Sequence, residues 1–181
     1  MKKKIYNILF WSMFGVYVFL MFDLFFRPAF MLSQWREGSP IVRSFNLVPF
    51  KTIGAYLSSY NLFNIAAVHN VLWNILVFVP YGLYVQIIRK QGKLWKGMAI
   101  IAGTSLLIEL IQFAAGAGVC DVDDLLLNFI GGLLGIGLYA LMLKIWKTRE
   151  KVKTIVMAAS ALVGIPVLLL YSVILLLNYN R

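Results

Sequence analysis

The stretch VDDLLLNFIGGLLGIGLYALML, residues 122–143, decides the fold. Behind its two acids, Asp123 and Asp124, the only strongly polar side chain is Asn128. As a helix rising about 1.5 Å per residue it extends about 33 Å, enough to cross roughly 30 Å of hydrocarbon. A helix is also the form in which a single segment satisfies its own backbone where water is absent.

Working outward, four more runs of this kind are found. They extend from Ile5 to Phe26, broken by Asp23; from about Ala67 to Ile88, containing His69, Asn70 and Asn74; from Leu94 to Ala117; and from Thr154 to Leu177. A chain of 181 residues that is 61% hydrophobic and 13% charged is not an ordinary soluble domain. The reading is an all-α integral membrane protein of about five transmembrane helices, approximately 5–26, 67–88, 94–117, 122–143 and 154–177. These form a single transmembrane domain over 1–181, with a long external connection between the first and second helices. The first run follows Lys2, Lys3 and Lys4 but is too long for a signal core and ends at Arg27-Pro28 without a small-residue cleavage pattern, so it reads as a retained helix.

Basic residues set the orientation, because they are held on the cytoplasmic side in short loops. Lys2, Lys3 and Lys4 precede the first helix. Arg89, Lys90, Lys93 and Lys96 lie between the second and third, and Lys144, Lys147, Arg149, Lys151 and Lys153 between the fourth and fifth. The amino terminus is therefore expected to be cytoplasmic and the carboxyl terminus external. The same distribution accounts for the net charge of +10 without nucleic acid as a partner, since no aromatic-basic platform accompanies it. Cys120 is the one cysteine, which excludes an intramolecular disulfide.

Polar residues at membrane depth are costly and mark function by default. Asn70 and Asn74 are four apart and share a helix face, which Tyr81 continues; Glu109 and Gln112 are three apart on another; Asp121, Asp124 and Asn128 step by three and four on a third, followed by Gly131 or Gly132 and Gly135. With alternating helix direction, all three faces fall at similar depth on the external side, which predicts one shared polar site. The competing account is interhelical hydrogen-bond glue, worth on the order of 1 kcal/mol or less per contact. Gly131 and Gly135 form a small-xxx-small pair suited to close helix packing. Pro80 removes the backbone bond to the Leu76 carbonyl and predicts a kink. The segment Arg43-Ser-Phe-Asn-Leu-Val-Pro-Phe50 is too apolar for a solvated loop, and Pro49 disfavours a helix through Val48. It is expected at the interface, anchored by Phe45, Leu47, Val48 and Phe50, with Arg43 and Asn46 free to meet a phosphate or the acidic cluster.

No catalytic constellation can be assembled. The sole histidine, His69, is at the start of a helix, and no serine motif, phosphate loop or cofactor fingerprint is present. Asp121, Asp123 and Asp124 supply hard oxygens but lack the spacing of a calcium loop, and acids in a helix's first turn are favoured by its dipole in any case. No metal and no cofactor are expected. A carboxyl at membrane depth beside an amide can carry a proton, which makes Glu109 the best candidate for any acid chemistry.

These residues also carry a resemblance. Asn46-Leu-Val-Pro49-Phe50, Asn70-x-x-x-Asn74-x-x-x-Phe78-x-Pro80-x-Gly82, Glu109-x-x-Gln112 and Asp121-x-x-Asp124-x-x-x-Asn128-x-x-Gly131 with Gly135 occur in the order found in the VanZ-like family of teicoplanin-resistance proteins, which the chain resembles over about 43–140. In the family pattern an arginine stands three residues before the first aspartate, where this chain has Gly118; either an external base such as Arg43 supplies that charge or the ligand differs. The resemblance implies a membrane protein that lowers susceptibility to teicoplanin and related lipoglycopeptides. Its partners would be membrane lipids and an amphiphile, namely the antibiotic's acyl chain, a lipid-linked wall precursor or a phospholipid, bound by Arg43, Asn46, Asn70, Asn74, Glu109, Gln112, Asp121, Asp124 and Asn128. The alternative is a membrane-embedded enzyme acting on an envelope lipid or precursor through Glu109 and the Asp121/Asp124 pair. A proton-coupled transporter fits less well, because the polar stripes give way to glycine, aromatic and aliphatic residues below Asn74 and Asn128.

Overall fold

The computed structural model describes residues 2–31, 44–58, 65–89, 93–115 and 119–179. In chain order the elements are α1 (Lys2–Met31), β1 (Ser44–Asn46), α2 (Lys51–Ser58), α3 (Ile65–Ile88), α4 (Leu94–Ala114), β2 (Val119–Asp121), α5 (Val122–Trp146) and α6 (Arg149–Tyr179). Among the described residues, five helices are long and apolar enough to cross a membrane, within α1, α3, α4, α5 and α6. The fold is thus the expected helical membrane protein. Leu72, Leu76, Leu107, Leu134 and Leu141, each about half exposed, are apolar surface of the kind lipid covers.

The chain divides into two compact units, Leu24–Leu141 on one hand and Met1–Asp23 with Met142–Arg181 on the other. In the latter unit α1 and α6 are joined by polar contacts at several levels. Lys153 donates to Asn7 Oδ1 at 2.8 Å and sits over the rings of Tyr6 and Phe10. Gly164 leaves room for Val16, and the Tyr171 hydroxyl donates to Asp23 Oδ1 at 3.4 Å. Asp23, the one acid in the first hydrophobic run, thus has a partner.

In the unit Leu24–Leu141, glycines let α3 and α5 touch through their backbones. A Cβ on Gly131 would fall on the Ile75 carbonyl, one on Gly135 on the Val79 carbonyl, and one on Gly82 on the Gly132 carbonyl. Residue numbers rise together along this seam, so α3 and α5 run parallel. Helix α4 is antiparallel to both: Tyr81 bonds Thr104 at 2.6 Å, Asn128 donates to Ser105 at 3.1 Å, and Glu109 meets the residue before α5. The starts of α3 and α5 and the end of α4 therefore share one side.

Helix α5 stops where Lys147 adopts the left-handed conformation (φ 62°), its N–H closing on the Leu143 carbonyl at 2.9 Å. In the segment expected at the interface, Leu47, Val48 and Phe50 are exposed apolar side chains and Asn46 meets Asp121 of the acidic cluster. Ser44–Asn46 is a strand paired in parallel with Val119–Asp121, setting Asn46 opposite Asp121. Phe45 stacks on Phe113 of α4 at 4.1 Å between ring centroids. Among the described residues two three-residue strands are thus added to the helices, and Asn46 and Thr52 both bond the Asp121 carboxylate. Arg43 and Gly118 lie outside the described residues.

Candidate functional site

The site grows from the start of α5. Asp121 stands just before the helix, and its Oδ1 accepts the Asp123 N–H at 2.9 Å, the bond of an N-cap residue to the second helical position. The same carboxylate accepts Asn46 Nδ2 at 3.1 Å on both oxygens and the Thr52 hydroxyl at 2.5 Å. Asn46 Nδ2 also reaches Thr52 Oγ1 at 3.0 Å. Strand pairing alone brings two backbones together; these bonds fix side chain to side chain.

Asp123, fully buried, caps a different helix from its own. Its Oδ1 accepts the Phe50 N–H at 2.5 Å, and its Oδ2 those of Thr52 at 2.8 Å and Ile53 at 3.1 Å. These are among the orphan donors at the start of α2, whose entry residue Phe50 is left-handed (φ 63°). One carboxylate from the start of α5 therefore terminates α2, and the helix dipole favours its charge there.

Asp124, one residue on, faces α3. Its Oδ1 accepts Asn74 Nδ2 at 2.5 Å and Asn70 Nδ2 at 3.5 Å, the two asparagines being one turn apart on the same face. From α4, Glu109 is only 2% exposed and its Oε2 accepts the Asp121 N–H at 3.1 Å. One turn deeper, Asn128 and Ser105 are both fully buried and bonded to each other.

The structure thus brings together Asn46, Asn70, Asn74, Glu109, Asp121 and Asp124, with Asn128 a turn below. Gln112 is directed elsewhere: its Nε2 donates to the Phe25 carbonyl of α1 at 3.0 Å, so it ties α4 to the first helix. Pro80 lies inside α3, Gly82 is on its seam with α5, and Pro49 precedes the left-handed Phe50. Sequence reasoning missed Thr52, Ser105 and the capping role of Asp123. Ser105 lies four residues before Glu109 on its face, a spacing that could have flagged it. Nothing local marks Thr52, whose role depends on a partner 69 residues away.

Among the described residues, no group of three or more His, Cys, Asp or Glu is arranged to hold a metal ion. Asp121 and Asp123 are instead engaged with amide, hydroxyl and backbone donors. Cys120, in β2, has its thiol pushed up by burial and further by the carboxylates of Glu109 and Asp121, so it ionises later than an ordinary thiol.

The arrangement can orient a polar group through fixed acceptors at the end of three spans. A soft nucleophile is lacking among the residues that build it. The family model described as VanZ/LLP1 matches residues 13–144. A relative, Protein VanZ of Enterococcus faecium, is 29% identical over 137 residues, covering 76% of this chain and 76% of that protein. No solved structure matches significantly.

Proposed function

The chain belongs to the VanZ/LLP1 family, and from that premise we propose that it lowers susceptibility to teicoplanin and related lipoglycopeptides by handling an amphiphile at the polar cluster of α3, α4 and α5. The amphiphile is the antibiotic's acyl chain, a lipid-linked wall precursor or a phospholipid. The observation that supports this most is the burial of Glu109 against the Asp121 backbone while Asp124 and Asn70, beside it, keep partial exposure. A polar cluster with an accessible edge and surrounding apolar helix faces suits a molecule with a polar head and a hydrocarbon tail.

The orientation that goes with this function has the amino terminus in the cytoplasm and the starts of α3 and α5 at the outer face. Cys120 tests it, being the only cysteine. Intact cells treated with a membrane-impermeant maleimide are expected to label at Cys120, at a rate that keeps rising with pH beyond the ordinary thiol range, because the thiol titrates late. Labelling that requires permeabilisation reverses the topology.

Function is tested by Glu109→Gln, which keeps shape and removes the charge. We expect susceptibility to teicoplanin to return to that of cells lacking the protein, with unchanged lipid and wall-precursor profiles and unchanged membrane abundance. Disappearance of a modified lipid or precursor on substitution would replace handling by catalysis through Glu109 and the Asp121/Asp124 pair. Full resistance in the variant would remove Glu109 from the function.

A further inference from the structure

The polar cluster has an unbalanced charge. Glu109, Asp121, Asp123 and Asp124 are four of the chain's seven acids, in a protein whose net charge is +10. Three of the four are buried, at 2%, 7% and 0% exposure for Glu109, Asp121 and Asp123. Among the described residues, the charges that act on Glu109 are those of Asp124 and Asp121, and those that act on Asp124 belong to Asp121 and Asp123. Among the described residues their hydrogen-bond partners are amides, a hydroxyl and backbone N–H groups. Like charges gathered in a low dielectric are costly unless something compensates them.

Hydrogen bonds compensate unequally. Asp123 has three backbone N–H donors, and Asp121 has an amide, a hydroxyl and a backbone N–H. Among the described residues, Glu109 accepts a single backbone N–H and Asp124 the two asparagine amides.

An independent observation concerns donors alone. Asn46 is nine-tenths buried, and its amide nitrogen is committed to the Asp121 carboxylate, which can only accept; the amide orientation is therefore forced. Among the described residues its buried Oδ1 meets no partner, and neither does Oδ1 of the fully buried Asn128. Buried polar atoms of this kind are rare in folded proteins and call for a partner. Here the unmet atoms are acceptors, as are the under-served carboxylates. Among the described residues no group of three or more His, Cys, Asp or Glu is placed to hold a metal ion. A hydroxyl would donate without supplying charge.

We propose that the cluster of Glu109, Asp124 and Asn46 binds a primary ammonium group carried by an amphiphile. This rests on the amphiphile-handling reading above and names the head group. A primary ammonium brings one positive charge and three N–H donors with no acceptor, the complement of what the cluster presents. A trimethylammonium head has the charge without donors and should be rejected. Asp124 and Asn70, partly exposed, form the side from which the head would enter.

The test uses the full chain in nanodiscs of phosphatidylcholine, whose own head group is trimethylammonium. Binding of dodecylammonium, dodecyltrimethylammonium and N-dodecylacetamide is measured by native mass spectrometry. The ammonium is expected to bind saturably, about tenfold or more tighter than either counterpart, the scale of one charge-assisted hydrogen bond. Glu109→Gln and Asp124→Asn should each lose that preference. Asn70→Lys supplies a tethered ammonium beside Asp124, so it should raise the unfolding temperature and abolish binding, which keeps the idea testable where a neutralised variant folds poorly. Phosphatidylethanolamine and an amine-bearing lipoglycopeptide, each against its N-acetylated form, then distinguish lipid from antibiotic as the source of the amine.

Equal affinity for all three dodecyl probes would overturn the ammonium inference and leave the amphiphile reading standing. Absence of saturable binding by any probe would overturn both. Binding confined to Arg43→Gln would assign the counter-charge to the chain's own arginine and overturn the proposal as well.

Discussion

Asp123→Ala is expected to cost on the order of 3 to 5 kcal/mol and to free the segment from Ser44 to Ser58, although Asp123 has no part in the proposed head-group contact. The reason is arithmetic of donors. The carboxylate receives the N–H groups of Phe50, Thr52 and Ile53, and it does so fully buried. Alanine leaves all three without an acceptor and opens a void where the carboxylate stood. Loss of a charge-assisted bond costs about 1.5 to 3 kcal/mol, and three bonds to one group are not additive, which sets the range. Once α2 is uncapped, Thr52 no longer reaches Asp121 and Asn46 loses one of its two partners. Thermal unfolding in detergent should show the loss, and limited proteolysis should show new cleavage within 44–58. Asp123→Asn retains one acceptor oxygen and should fall between alanine and the natural residue. Unaltered unfolding and protease resistance in Asp123→Ala would mean that 44–58 is held by its other contacts.

The second large effect lies on the α3–α5 seam. Gly131→Ala and Gly135→Ala each put a methyl group onto a backbone carbonyl, that of Ile75 or Val79, and neither carbonyl can turn aside without breaking its own helix. The helices must separate, at about 1 to 3 kcal/mol per methyl for overpacking or more, and separation pulls Asn74 off Asp124. Gly137 and Gly103 are matched controls, since a Cβ at either meets nothing within 4 Å. There alanine should be neutral or stabilise by up to about 1 kcal/mol through helix propensity. Unfolding temperatures of the four variants in one detergent decide the matter. Four equal shifts would mean that the seam is not close-packed.

That contrast among glycines illustrates the limit of the sequence. Gly131, Gly135 and Gly137 are indistinguishable as letters in an apolar helix; the small-xxx-small spacing selects the first two, but only the approach of α3 explains why. Gly132 is different again, since a side chain there would meet Ile101 of α4.

The sequence by itself determined the helical membrane class, the five spans and their polar faces. Hydrophobic run length and the cost of intramembrane polar groups act locally, so they are written in consecutive residues. It also supplied most members of the cluster, because Asn70 with Asn74 and Glu109 alone at its depth violate the local rule. Only the tertiary structure decided what each polar residue does. Asp121, Asp123 and Asp124 are adjacent in sequence yet serve the Asn46 strand, the start of α2 and the asparagines of α3. Gln112 shares a face with Glu109 but bonds the first helix. A carboxylate takes whichever donors the fold delivers to it, and those donors come from elements 50 to 75 residues away in the chain. The pairing of 44–46 with 119–121 is of the same kind: three-residue strands carry no periodic signal, and their register is set by Asn46 meeting Asp121 across the fold.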